Sequence, residues 1–274
     1  MVEHKIDEIK YLSFETLDSF NDVVNVFSTR LGGVSTGFHS SMNLGFSNGD
    51  DPELVNKNFE IIASKVLKIN TNRIVCSKQT HTTNIAVVTE NDCGQEGRVS
   101  NHFSDIDGLM TNVPGIALAC FYADCVPLYF VDPIQKVVAV AHSGWRGTVN
   151  RMGYVTVQKM HEQYGCNPGD IYAAIGPSIC RDCYEVSSDV ADIFKQEFND
   201  IADSIVVPGK EEGKYQLDLW KANEAVLLDA GILPSHLEIS GLCTCCNSDW
   251  LFSHRASKGK RGNLAAFIML KNTL

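Results

Sequence analysis

Three short apolar runs limit this chain more than any other feature. Residues 115–122 (GIALACFY), 128–131 (LYFV) and 137–141 (VVAVA) hold almost no polar side chain. Each has strand length and is bounded by turn residues, and such runs read as strands covered on both faces. The third run ends abruptly in His142-Ser143-Gly144-Trp145-Arg146-Gly147, an imidazole and a guanidinium set between glycines. The remaining pattern predicts further strands at 23–27, 73–76, 84–88, 171–175, 237–239 and 264–270. Helices are expected from Asp51-Pro52 onward, with a stripe of Leu54, Phe59, Ile62 and Val66, at 148–164 closed by Gly165, at 189–198, and at 218–230 capped by Asp218. Residues 91–104 read as a loop. Strands and helices mix without a strict βαβ rhythm, and neither a repeat nor a low-complexity linker divides them. The expected fold is therefore α/β (α+β), a layered sandwich with mixed sheets in one domain over 1–274.

Several classes of protein are disfavoured. No apolar run approaches the roughly 18 residues of a membrane span. The start, MVEHKIDE, lacks the apolar stretch of a signal peptide, so the cytoplasm is the expected location. A net charge of -10 argues against nucleic acid as a partner, because phosphate backbones need clustered Lys and Arg. The one basic run, Lys258-Gly259-Lys260-Arg261, reads as a solvated loop. In a reducing compartment the ten cysteines point to metal binding or nucleophilic chemistry rather than to a disulfide framework.

His81 follows a strand and turn, Cys125 interrupts a buried strand, and His142 leaves one. They lie 44 and 17 residues apart, which is no local metal motif. Two readings stand at this point: two imidazoles and a thiolate forming a catalytic zinc shell with an open fourth position, or a small buried thiol beside two satisfied histidines. Arg30 and Arg146, each on a Gly-rich turn, are candidate anion clamps, with Ser41 and Asn43 as added donors; both arginines also suit surface ion pairs. Cys180-x2-Cys183 and Cys243-x-Cys245-Cys246 look like halves of a four-thiolate site, although the 60-residue gap between them exceeds the usual ribbon spacing. A structural metal, a redox pair and ordinary thiols all remain open there.

Taken together, Thr29-Arg30-x-Gly-Gly-Val-Ser, Ser41-Met-Asn-Leu-Gly45, Lys78-Gln-Thr-His81, Asp105-x-Asp-Gly-Leu-Met-Thr111, Ala123-Asp-Cys-Val-Pro127, Ala141-His-Ser-Gly-Trp-Arg-Gly147, Ala174-Ile-Gly-Pro177 with Cys183-Tyr-Glu-Val186, and Cys243-Thr244 resemble the YfiH/YlmD family. That family carries the older label of multicopper polyphenol oxidoreductase, or laccase-domain protein. The resemblance implies a single α-β-β-α domain, the CNF/YfiH-like fold, similar to a bacterial toxin domain with a Cys-His catalytic pair. It also implies a zinc on His81, Cys125 and His142. The activity it implies is phosphorolysis of adenosine, inosine, guanosine and methylthioadenosine, with deamination of adenosine. Purine nucleosides and phosphate are then the partners, with a homo-oligomer also open, and the family's association with peptidoglycan editing is left unexplained by these residues.

A laccase needs several coppers and typically many histidines, whereas this chain has eight, only two of them in the motif cluster, so zinc is expected over copper. In this reading Asp124 is the acid for departing ammonia and Cys125 and Arg146 act in catalysis. Arg30, Ser41, Asn43, Gln79 and Arg146 hold phosphate or substrate. Two rival classes are a thiol hydrolase using Cys125 and His142, and a partner-binding protein with a vestigial site.

Overall fold

The computed structural model describes residues 1–95 and 97–272. Strands Val126–Asp132 and Val137–Ser143 are buried along their whole length. They pair antiparallel with His142 opposite Pro127, so the apolar runs end at one sheet edge where the polar residues begin. Their sheet runs in the order Leu237–Ile239, Tyr172–Ile175, Val126–Asp132, Val137–Ser143, Gly108–Thr111, Ile85–Val87. Its centre is antiparallel, and the pair at each edge is parallel.

A second sheet faces it, ordered Val2–Ile6, Ile9–Ser13, Val23–Ser28, Leu264–Leu270, Ala117–Tyr122, Ile74–Lys78, Ser100–Ser104. Leu118, Cys120, Tyr122 and Ile268 from this sheet meet Tyr129, Val131, Val138 and Val140 from the first. The buried phenols cross between the sheets in both directions: Tyr122 Oη donates to the Ala141 carbonyl at 2.9 Å, and Tyr129 Oη to that of Val26 at 2.8 Å. An unpaired hydroxyl here costs about 1–3 kcal/mol, so these bonds fix how one sheet sits on the other.

Helices cover the two outer faces. Met152–Tyr164 and Leu219–Asp229 lay Met152, Val157, Met160, Val226 and Leu227 against Val137, Ala139 and Ala141. Pro52–Ile61, capped by the Asp51 carboxylate accepting from the Glu53 N–H, packs on the opposite side. The result is the expected layered α-β-β-α sandwich with mixed sheets.

The structure departs from the sequence expectations in local detail. The helix foreseen at 148–164 is two, Trp145–Val149 and Met152–Tyr164, broken where Arg151 turns to φ 59° and pairs with Glu197 and Asp229. The helix after Asp51 continues through a wider turn, Ile62–Leu67. That shifts its buried face to Val55, Phe59, Ile62, Ala63 and Leu67, with Leu54 and Val66 at the margin. The supposed loop at 91–104 contains the edge strand Ser100–Ser104. A small sheet of Glu185–Ser187, Lys214–Leu217 and Val206–Pro208 also went unforeseen.

Candidate active site

The chain passes from one sheet to the other through 123–125, and this turn delivers Cys125. Asp124 adopts φ 90°, a left-handed conformation that costs a non-glycine residue about 1–3 kcal/mol. Three contacts hold it there: its carbonyl accepts from the Ile179 N–H at 3.0 Å, and its carboxylate accepts from Thr244 Oγ1 and the Arg255 N–H, each at 2.7 Å. His81, also left-handed at φ 67°, arrives beyond strand Ile74–Lys78. His142 comes from the end of Val137–Ser143. One ligand atom from each of the three lies within 4.8 Å of the others.

Asp107 organises two of the three. It is fully buried, and its Oδ1 accepts from His142 Nδ1 at 2.8 Å and from the His81 N–H at 3.1 Å. Its Oδ2 accepts from the Thr80 and Thr82 N–H groups at 3.0 Å and from Thr82 Oγ1 at 3.1 Å. A carboxylate only accepts, so His142 carries a proton on Nδ1 in either charge state, which leaves Nε2 as the ring nitrogen a metal would take. This is the carboxylate–histidine arrangement that orients metal ligands.

The same contacts set the electrostatics. Burial alone would raise the Asp107 carboxyl, but the hydrogen bond and charge of His142 and the surrounding N–H donors outweigh it and hold it at about 2. Burial would likewise raise the Cys125 thiol, yet the charge of His142 and hydrogen bonds from both histidines bring it down to about 6. Burial would lower His142, and Cys125 and Asp107 instead push it up to about 9. Between about pH 6 and 9, a thiolate facing imidazolium is thus the favoured metal-free state of this cluster.

The donor set suits a tetrahedral soft metal. Bonds of about 2.0–2.3 Å put neighbouring ligand atoms roughly 3.3–3.8 Å apart, compatible with three atoms that lie within 4.8 Å of one another. Gly144 leaves the needed room: a Cβ there would lie 3.0 Å from His81 Cδ2 and 3.1 Å from Cys125 Sγ. With His81 exposed, a fourth position opens into a cavity of about 450 Å³. Besides the cluster, this cavity is lined by Phe46, Asn48, Asn101, Phe121, Arg261 and Asn263 among others.

The profile of a family described as multi-copper polyphenol oxidoreductase laccase matches residues 24–271. The purine nucleoside phosphorylase YlmD of Bacillus subtilis is 36% identical over 258 residues, covering 94% of this chain and 92% of that protein. The chain belongs to the YfiH/YlmD family. A second family member, adenosine deaminase RL5 from an unknown prokaryotic organism, is 36% identical over 251 residues, 89% of this chain and 94% of its own. The crystal structure of the YfiH protein of Bacillus licheniformis superposes with a TM-score of 0.89 at 34% identity, covering 97% of both chains.

Within this YfiH/YlmD fold the residues singled out from sequence divide into two groups. His81, Cys125 and His142 converge, and Gln79 lines the same cavity, its side-chain amide paired through both ends with the backbone of Phe121 at 2.8 Å. The others are not among the cavity residues. Arg30 donates from Nε to Ser40 O and from Nη1 to Ser248 O, each at 2.9 Å, and lies over the Phe252 ring. Ser41 donates to Arg30 O and accepts from the Gly33 N–H, while Asn43 is buried against Gly45, Asp50 and the Asn263 N–H. Arg146 is exposed, stacked on Trp145. Both carboxylate oxygens of Asp124 are engaged away from the cavity lining.

Conversely, sequence reading missed Arg261. The expected solvated loop turns this side chain inward, where it bonds Asn263; burial lowers its pKa against the opposing charges of Cys125 and Asp124. Asn48 was also missed, and its buried Nδ2 finds no partner among the described residues. A Ser-Asn-Gly loop after an aromatic, 45–49, was the available signal.

Proposed function

We propose that this chain is a metal-dependent purine nucleoside enzyme, a single domain that phosphorolyses purine nucleosides and deaminates adenosine. The observation that carries this reading is one cavity holding both the His81–Cys125–His142 cluster and an inward-facing guanidinium, Arg261, in a chain whose relatives bear the names phosphorylase and deaminase. We take the metal as zinc, because a multicopper site needs more histidines than the two of this cluster; when bound, zinc supplies a Lewis acid that lowers the pKa of water to about 7.

The chain's own residues supply binding and orientation. Phe46, Phe121 and Tyr122 offer a wall for the base, and the unpaired amide of Asn48 offers a donor to its edge. Arg261 takes phosphate in the role first expected of Arg30. A phosphate oxygen then bonds C1′ as the C1′–N9 bond breaks and the purine leaves with a proton. In deamination a water oxygen adds at C6 and ammonia leaves. Asp124 serves by holding the turn that presents Cys125, and Arg30, Ser41 and Asn43 by bracing the scaffold behind the cavity.

The test is phosphate-dependent release of hypoxanthine from inosine, with ammonia release from adenosine, by zinc-loaded protein. Neither product appearing would overturn the reading. A second reading has an observation of its own, since Asp107, His142 and Cys125 stand in the hydrogen-bonded order of orienter, base and thiol nucleophile. Turnover by metal-free protein, abolished by alkylating Cys125, would favour it.

A further inference from the structure

Strands Tyr172–Ile175 and Leu237–Ile239 run parallel as neighbours, so the loops beyond them emerge side by side. Continued pairing of Ser178 with Cys243 carries them further together, with the Ser178 N–H donating to Leu242 O at 3.2 Å and the Thr244 N–H to Ser178 O at 3.1 Å. Each loop bears a Cys-x2-Cys pair, 180/183 and 243/246. The sequence gap that weakens these residues as a ribbon motif is bridged by the sheet.

All four thiols converge: the Sγ atoms of Cys180, Cys183, Cys243 and Cys246 lie within 4.8 Å of one another. Cys183 Sγ and Cys246 Sγ are 3.5 Å apart, close to the roughly 3.8 Å edge of a zinc tetrathiolate with bonds of about 2.3 Å. Cys243 Sγ accepts from the N–H groups of Cys180 at 3.2 Å and Cys246 at 3.4 Å, the backbone donation that steadies a metal-bound thiolate. Cys245, adjacent in sequence, stands outside the set.

We propose that these four cysteines form a second, structural zinc site, separate from the His81–Cys125–His142 cluster. Four sulfur ligands close the tetrahedron and leave no position for water, so the site cross-links rather than reacts. What it cross-links is the support of the cavity. Ile179, next to Cys180, and Thr244, next to Cys243, both bond to Asp124, the residue that sets Cys125. Zinc at this site therefore fixes two of the three contacts that hold the strained turn.

The probe is zinc itself, measured as metal content of the full chain purified and dialysed under reducing conditions with zinc. The expected result is two zinc per wild-type chain, one in the His81→Ala/His142→Ala variant, one in Cys180→Ser/Cys183→Ser, and two in Cys245→Ser. X-ray absorption on the His81→Ala/His142→Ala protein is expected to show four sulfurs and no nitrogen around zinc, a measurement independent of whether the cysteine variants fold. No zinc in the histidine variant, a mixed sulfur and nitrogen shell, or disulfide-bonded cysteines in the zinc-loaded protein would overturn the proposal. The readout is metal content and coordination, so it stands apart from nucleoside turnover.

Discussion

Replacing Asp107 with Asn removes one charge and almost no volume, yet it disturbs five hydrogen bonds at once. Two donors converge on Oδ1, His142 Nδ1–H and the His81 N–H; three converge on Oδ2, the N–H groups of Thr80 and Thr82 and the Thr82 hydroxyl. A carboxamide has one oxygen, so its NH2 must face one of these sets. Turned toward the threonines, it strands at least two backbone donors at about 1–3 kcal/mol each, a loss of roughly 2–6 kcal/mol. Turned toward His142, it forces Nδ1 to accept, moves the ring proton to Nε2 and removes that lone pair from any metal. Second-sphere losses of this kind weaken metal affinity about 10–100-fold. Zinc competition against a chromophoric chelator and denaturant unfolding of metal-free protein read the two effects separately. Wild-type zinc affinity together with an unchanged unfolding midpoint would refute the organising role of Asp107.

Gly144→Ala is expected to keep the fold by circular dichroism but lose zinc affinity at least tenfold, since its Cβ would press on His81 and Cys125 at 3.0 and 3.1 Å. Arg261→Ala should raise KM for phosphate tenfold or more with little change in melting temperature, whereas Arg30→Ala should lower the melting temperature and leave phosphate KM within about twofold; the reverse pattern returns the phosphate role to Arg30. Asp107 sits at about 2, below its unfolded value of about 3.9, so its contribution is full above pH 4 and is lost as pH falls toward 2. That contribution is about 2.5 kcal/mol, of which about 2 kcal/mol is lost between pH 5 and 2, read as the pH dependence of the wild-type-minus-Asp107→Asn difference in stability; no pH dependence in the difference contradicts it. In the metal-free protein the Cys125 thiol ionises near 6, so its alkylation should stay fast down to that pH and shift upward in His142→Ala.

How much of the fold and the site was legible in the sequence depends on the kind of signal each residue leaves. His81 stood out because it follows a strand and turn within the Lys78-Gln-Thr-His81 motif, and Cys125 and His142 because they interrupt or end a buried apolar run, where a polar residue is costly unless it has a task. The sandwich core was legible for the same reason. Asp107 belongs to one of the family's motifs, yet its role was invisible, because four of its five partners are on the 80–82 turn and three of those are backbone N–H groups with no side-chain signature. Arg261 read as solvated amid Lys and Gly, but Gly262 lies where a Cβ would meet the Phe252 ring at 2.7 Å, and this close approach carries the loop inward. Ser100–Ser104 was missed because an edge strand with one buried residue shows no alternation, and the paired cysteines were discounted because parallel strand pairing has no sequence spacing.

Metal-dependent phosphorolysis is tested most directly by assaying inosine cleavage with metal-stripped protein, with the same protein after zinc is restored, and with His142→Ala treated identically, each with its zinc content measured. Hypoxanthine release is expected only with zinc restored, dependent on phosphate, and none is expected from His142→Ala at any zinc loading. Undiminished phosphate-dependent release from the metal-stripped protein, or from His142→Ala, would contradict a metal-dependent site built on His81, Cys125 and His142.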